Sequence, residues 1–239
     1  MALKSVVMKS ITWLLLLCLA AFADDFSTAA GVLKITPIRH ACLMVEAGGQ
    51  VAYLDPAQGN FDSSPKADLI LLTDTHGDHL APAVLEKLKK PGTAIVGPEA
   101  VAKTVPGTKI LRNGEKTTVG KWEIEAVAAY NLKRGPSPGA FYHEKGRGNG
   151  YIVTWGAKRF YFAGDTEGIP EMRAVKNIEV AFVPMNLPFT MTAEEAADAV
   201  KAFQPKIVYP YHYRGTDLSV FEKALAGTGI EVRLRDWYK

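Results

Sequence analysis

The sequence predicts an α+β fold, a four-layer αββα sandwich in which two mixed, mainly antiparallel β-sheets pack face to face with helices on both outer faces. Three observations lead there. Short β-branched and apolar runs, broken by Gly and Pro turns, fill the early part of each half of the chain. Helical stretches follow them. This strand-then-helix texture occurs twice, so each half supplies a sheet whose apolar face needs a partner.

Taken in order, Val32 to Ile38, Cys42 to Glu46 and Val51 to Leu54 read as strands, with Gly48-Gly49 turning between the last two. Ala67 to Leu72 (ADLILL) is an unbroken apolar run of strand length, as expected of a strand buried on both faces. Pro82 to Lys90 reads as a helix stopped by Pro91-Gly92, Ala94 to Gly97 as a short strand, and Pro98 to Thr104 as a short helix. In the second half Trp122 to Ala128, Tyr151 to Trp155, Arg159 to Ala163 and Glu179 to Pro184 read as strands. Thr192 to Phe203 has the clearest helical signal. Thr192 and Glu195 form a capping box, Ala196, Ala199, Val200 and Phe203 give the apolar stripe, and Pro205 ends it. Lys206 to Tyr209 is a strand, Leu218 to Ala226 a helix and Ile230 to Leu234 a final strand. Lys133 to Gly150 is a loop of a length usually tied to function or disorder.

Residues 1–23 read as a secretory signal peptide. Lys4 and Lys9 precede an apolar run from Ile11 to Ala23, and Ala21-Phe22-Ala23 forms a small-x-small cleavage signal before Asp24-Asp25. The run is too short for a membrane span, which takes about 20 residues. Leucines before Cys18 stand where a lipid-attachment site wants small residues. A single domain, residues 24–239, follows, and its expected location is periplasmic or extracellular. No later segment is long and apolar enough to span a membrane. Removing Lys4 and Lys9 brings the formal net charge from +3 to +1, which gives no ground for a nucleic-acid partner. Cys42 is then the sole cysteine, so no intramolecular disulfide forms. Within Ala41 to Val45 it reads as a buried small hydrophobe.

The histidines are His40, His76, His79, His143 and His212. The densest cluster of donors, Thr73 to His79 (TDTHGDH), follows ADLILL directly and brings Asp74, His76, Asp78 and His79 close together. Alternation in extended backbone would put Asp74, His76 and Asp78 on one side, with His79 turning into the same pocket and Gly77 allowing the tight path. Imidazole and carboxylate are ordinary donors for zinc, iron and manganese. A polar turn that merely caps a helix needs one such residue, not four.

This D-x-H-x-D-H pattern resembles the H-x-H-x-D-H motif of the metallo-β-lactamase superfamily. Phe160 to Thr166 (FYFAGDT) resembles its strand ending in a bridging aspartate, here Asp165, and Tyr209 to Tyr213 its last metal histidine, here His212. Phe141 to Gly146 with Gly150-Tyr151, Ile38 to Ala41, and Leu54-Asp55-Pro56 are similar to the branch that includes the ascorbate-6-phosphate lactonase-like proteins. The resemblance implies two divalent metal ions. Asp74, His76 and His143 would hold the first, Asp78, His79 and His212 the second, with Asp165 bridging. It implies hydrolysis of an ester, lactone, amide or phosphodiester by a hydroxide shared between metals about 3.5–4 Å apart. Asp78 would orient the nucleophile or return a proton to the leaving group. One departure is that Asp74 stands where the family has a histidine. Its hard oxygen should shift preference toward manganese, iron or magnesium relative to zinc.

Further residues are singled out around this set. His40, alone at a strand start, reads as a satisfied core group or a support to the ligands more readily than as a ligand, and is a candidate to touch substrate. Asn186 and Thr190, in the loop after Glu179 to Pro184, are candidates to touch substrate or to hold the turn. Arg134 and Lys145, with Lys133 and Arg147 on the same glycine-rich loop, could grip an anionic small-molecule substrate. Alternation places Tyr211 and Tyr213 opposite His212, one of them at least in the core. Two other functions compete with hydrolysis. One is an exported module that holds metal without turnover. The other is di-iron redox chemistry, which ranks last because no flavin domain and no cysteine pair are present.

Overall fold

A computed structural model describes residues 23–238. The proposed signal peptide lies outside the described residues except for Ala23. Two seven-stranded sheets each follow chain order. The first holds β1 (Asp24–Thr28), β2 (Gly31–Arg39), β3 (Cys42–Ala47), β4 (Gln50–Leu54), β5 (Leu69–Leu71), β6 (Ala94–Gly97) and β7 (Lys109–Ile110). The second holds β8 (Lys116–Val119), β9 (Trp122–Ala129), β10 (Gly148–Trp155), β11 (Lys158–Phe162), β12 (Val180–Pro184), β13 (Ile207–Tyr211) and β14 (Glu231–Val232). Each sheet starts as four antiparallel strands and continues as parallel ones. Parallel neighbours need crossovers. These carry α1 (Pro82–Leu88) and α2 (Glu99–Ala102) in the first half, and α3 (Pro170–Arg173), α4 (Ala193–Phe203) and α5 (Leu218–Leu225) in the second.

Alternation along the strands sorts the core into three layers. Leu69 and Leu71 point between the sheets, with Phe160, Phe162, Tyr209 and Tyr211 from the other side. Ile70 and Leu72 point outward to Leu85, Leu88 and Val101 on the first pair of helices. Tyr161, Val183 and Val208 point outward to Ala196, Val200 and Phe203 of α4. Burial on both faces explains why ADLILL shows no polar alternation. The αββα sandwich is therefore the fold the chain adopts. The capping box is present, Thr192 Oγ1 accepting from Glu195 N at 3.2 Å and Glu195 Oε2 from Thr192 N at 3.0 Å. Cys42 is buried and free, and burial holds its thiol well above the ordinary value.

The sequence reading missed four elements, each for a physical reason. β1 buries only Phe26, which meets Phe160 edge-on. β7 and β8 are exposed or half-exposed edge strands with little apolar signal. α3 is a single turn after Pro170. Helix and strand ends also contract, α1 stopping at Leu88 and the last strand spanning only Glu231–Val232. The loop expected to run to Gly150 stops earlier, because β10 begins at Gly148. Asn149 N there donates to Thr73 O at 2.9 Å, tying the second sheet to the first beside the motif.

Candidate metal centre

The donors gather where the parallel strands of both sheets end. Asp74 to His79 follow β5, Asp165 follows β11, and His212 follows β13. This is the edge where open parallel sheets place their ligands. His40, Asp55 and His212 all have left-handed backbone, with φ of +57°, +43° and +48°. Such a conformation costs a non-glycine residue about 1–2 kcal/mol and persists only where surrounding structure fixes it. Here the fixing bonds are His40 N to Trp237 O, His212 N to His40 O and Asp55 N to Leu71 O, at 3.0–3.1 Å. Gly164, one residue before Asp165, has φ +67°, and a Cβ there would meet Asn149 O at 2.5 Å. Only glycine fits, and its N–H donates to the buried Tyr211 hydroxyl at 2.9 Å. Tyr211 is thus core, as alternation requires, while Tyr213 is half-buried.

Three groups of donors result, two of which share His212. Asp74, His76 and His143 form one, His79, Asp165 and His212 a second, and His40, Asp78 and His212 a third. Asp165 Oδ2 lies 3.1 Å from His143 Nε2 and 3.2 Å from His79 Nε2, and its Oδ1 lies 3.4 Å from His212 Nε2. Asp78 Oδ2 lies 3.3 Å from His212 Nε2 and 3.0 Å from His40 Nε2. His76 Nδ1 lies 2.8 Å from Asp74 Oδ2. All seven expected ligands are brought together. The alternation argument for the motif fails, however. Residues 74–79 turn instead of extending, with His79 and Leu80 N–H groups both donating to His76 O at 2.9 Å. Asp74 and Asp78 therefore belong to different groups.

Outer hydrogen bonds aim each imidazole. Asp55 is fully buried and accepts from His79 Nδ1 at 2.8 Å, Thr73 N at 2.8 Å and Thr73 Oγ1 at 2.5 Å, leaving His79 Nε2 for the centre. Asn131 Oδ1 accepts from His143 N and Nδ1, both at 2.8 Å, leaving His143 Nε2 for the centre. His40 is buried between Asp78 and the Tyr238 hydroxyl, 2.7 Å from its Nδ1. Sequence reasoning gave His40 no certain role and assigned none to Asn131 or Tyr238. Asp55 was visible only inside its Leu-Asp-Pro motif. A polar residue closing a buried strand was the available signal for Asp55, and nothing in the sequence ties Tyr238 to His40. Partners of this kind typically change metal affinity about 10–100-fold. Tyr238→Phe removes one hydroxyl and is expected to weaken cation binding at Asp78 and His212 by about tenfold, read by chelator competition, with little change in melting temperature. Unchanged affinity would mean that His40 is held without the tyrosine.

The remaining expected residues fall elsewhere. Thr190 is fully buried, its Oγ1 accepting from Asn186 N at 2.8 Å, so this pair holds the turn before α4. Arg134 is paired with Glu167 and Glu195, and Lys145 with Glu171 and the Tyr130 hydroxyl. Neither reaches the centre. Arg147 does, its Nε lying 3.1 Å from Asp74 Oδ1 and its Nη2 2.9 Å from His76 Nε2. The guanidinium balances the very carboxylate that departs from the family motif.

Electrostatics and unpaired atoms test whether a cation fits. Asp165 Oδ1 and both ring nitrogens of His212 are buried without a hydrogen-bond partner, which ordinarily costs about 1–3 kcal/mol per group. Burial pushes the Asp165 carboxyl up, but the imidazoles of His212 and His79 outweigh it and hold it well below the carboxylate range. Burial likewise opposes ionisation of Asp78, which His212 and His40 hold far below its ordinary value. Both carboxylates favour the ionised form and converge on the same imidazoles, and Asp165 Oδ1 is left without a partner, as suits hard-cation ligands. Burial pulls His79 down, but Asp165 and Asp55 on its two nitrogens outweigh it and hold it well above the ordinary histidine value of 6.5. In the metal-free protein its ion-pair stabilisation is therefore complete below that value and lost as pH rises through the raised one. Cation binding at His79 Nε2 must displace this proton. Calorimetry near pH 7 in buffers of different ionisation enthalpy is expected to show release of about one proton per chain. Identical apparent enthalpies in every buffer would contradict the assignment.

A αββα sandwich carrying this donor set at its strand ends defines a class. The family model described as a beta-lactamase superfamily domain matches residues 34–212, and the chain belongs to the metallo-β-lactamase superfamily. It is 30% identical over 222 residues to a metal-dependent hydrolase of Methanopyrus kandleri, covering 84% of this chain and 95% of that one. A protein from Parabacteroides distasonis, assigned as a metal-dependent hydrolase, superposes with a TM-score of 0.86 at 41% identity, covering 91% of this chain and 99% of the other. A metallo hydrolase of Ignicoccus hospitalis shares the fold, with a TM-score of 0.70 at 22% identity, covering 87% of this chain and 96% of that one.

Proposed function

We propose that this metal-dependent hydrolase of the metallo-β-lactamase superfamily is exported, holds two divalent cations and cleaves an ester, lactone, phosphodiester or related bond of a small molecule. The placement of Asp165 carries this reading. Its Oδ2 faces His143 of one donor set and His79 of the other, the position a bridging oxygen needs, while Oδ1 faces His212. Asp74, His76 and His143 would hold one cation, and Asp78, His79 and His212 the other. Zinc, manganese or iron suits the donors, and Asp74 favours the harder ions. When bound, such cations acidify a water and polarise the attacked bond. The chain's own residues do the rest. A cavity of about 310 Å³, lined by His76, Asp78, His143, Asp165 and His212 among others, admits the substrate to the donors. Asp78 keeps a third of its side-chain surface open to that cavity, so it can orient the water and pass its proton to the leaving oxygen. The water's hydroxyl ends on the attacked carbon or phosphorus.

Export rests on residues 1–23. Cleavage after Ala23 would leave β1 whole, with Asp24 paired to Arg235 Nη2 at 2.5 Å and Nε at 2.9 Å. Among the described residues no helix is long and apolar enough to cross a membrane. An open cavity beside the donors favours an enzyme over a module that only holds metal. The test is elemental analysis of purified protein together with hydrolysis of a panel of chromogenic esters, lactones and phosphodiesters. About two metals per chain with turnover of one class supports the reading. Metal-loaded protein inert toward every class would favour the binding module. Recovery of the protein only in the cytoplasmic fraction, uncleaved, would refute export.

A further inference from the structure

The donor cavity has an aromatic wall. Tyr142 and Phe189 line the same cavity as His76, Asp78, His143, Asp165 and His212, and their rings meet edge-on with centroids 5.0 Å apart. Phe189 is 41% exposed, a costly display for a large apolar side chain with no covering partner in the monomer. Leu132 and Phe141, on the loop that carries Tyr142, and Leu187, on the loop that carries Phe189, are exposed as well. Together these segments hold four of the seven large hydrophobics exposed among the described residues. Among the described residues no lysine or arginine lines the cavity itself, and Arg147, which contacts His76, is paired with Asp74. The other loop cations that could grip an anion, Lys133, Arg134 and Lys145, are engaged with Glu167, Glu171 and Glu195.

One side chain couples this wall to the metal donors. Asn131 accepts both N–H groups of His143 through Oδ1, while its Nδ2 donates to Phe189 O at 2.8 Å. The Phe189 backbone is therefore fixed relative to a ligand of the centre, so a group resting on the ring would have a set distance from the reacting bond.

We propose that the substrate carries an apolar alkyl or aryl group next to the hydrolysed bond, and that Tyr142 and Phe189 form the subsite that selects it. This rests on the hydrolytic reading above. Each methylene laid against the wall is expected to raise kcat/KM about three- to fourfold until the wall is filled.

The experiment uses metal-loaded protein and two readouts. The first is kcat/KM for acyl esters of one leaving group with chains from two to ten carbons. The second, independent of turnover, is calorimetric affinity for alkyl hydroxamates of the same lengths, whose head group binds metal. Wild type should show rising values in both, and Phe189→Ala should flatten the slope, its loss growing with chain length. Phe189→Leu should retain most of the slope, which separates apolar contact from a folding defect. Rising hydroxamate affinity without ester turnover would uphold the subsite and refute the hydrolytic reading. A flat slope in wild type, equal losses at every chain length in Phe189→Ala, or no hydroxamate binding at any length would overturn the proposal. So would a flat slope with dimerisation that Phe189→Ala abolishes, since the patch would then join two copies of the chain.

Discussion

Asp165→Ala is expected to strip the protein of at least one of its metals and to lower hydrolysis by about a thousandfold or more, roughly 4 kcal/mol of barrier. Three imidazoles converge on this carboxylate from three different segments, His79, His143 and His212, and no other donor touches all three. On the proposed two-cation reading, its loss would leave each cation with one ligand fewer and less to hold the pair together. The metal-free state should also change. Asp165 is held well below the carboxylate range, so its contribution is present above the ordinary carboxylate value and fades as pH falls toward the depressed one. Asp165→Ala should therefore blunt the acid dependence of metal-free stability. Elemental analysis with thermal melts across pH reads both effects. Unchanged metal content in Asp165→Ala would end the bridging assignment.

Asp55→Ala is expected to be the most damaging substitution that touches no metal. The carboxylate is fully buried and accepts from Thr73 N, Thr73 Oγ1 and His79 Nδ1. Burial pushes its own pKa up against the pull of His79, a sign of how much the ionised form depends on those partners. Removing one partner of such a buried set costs about 3–5 kcal/mol. For a domain of this size that corresponds to a melting temperature lower by roughly 10 °C. His79 would lose the acceptor that fixes its tautomer, so metal affinity should fall about 10–100-fold as well. Asp55→Asn keeps the shape and should recover part of the stability. A melting temperature within 2 °C or so of wild type for Asp55→Ala would show that water replaces the carboxylate.

The determinants that were legible in the sequence are those written by local spacing. Alternating burial and unbroken apolar runs marked the central strands, and a capping box with an apolar stripe marked α4. The strand-then-helix texture repeated twice became two sheets of one topology, antiparallel first and parallel afterwards. The donor-rich turn after ADLILL was visible because it gathers four metal-binding side chains in a short window, and the aspartate after FYFAG and the histidine after Tyr211 were visible through their resemblance to the superfamily's motifs. The tertiary structure decided what spacing cannot carry. Contacts such as Tyr238 to His40, Asn131 to Phe189 and Arg147 to Asp74 join segments separated by tens of residues or more, and a side chain's partner there depends on how two sheets meet. The motif's turn broke the alternation that extended backbone would have imposed, dividing Asp74 from Asp78. Most of all, Lys133, Arg134 and Lys145 were drawn onto neighbouring glutamates and Arg147 onto Asp74, while aromatic rings were left at the cavity. Charge in a sequence says nothing about which opposite charge lies nearest in space, and only packing settles that competition.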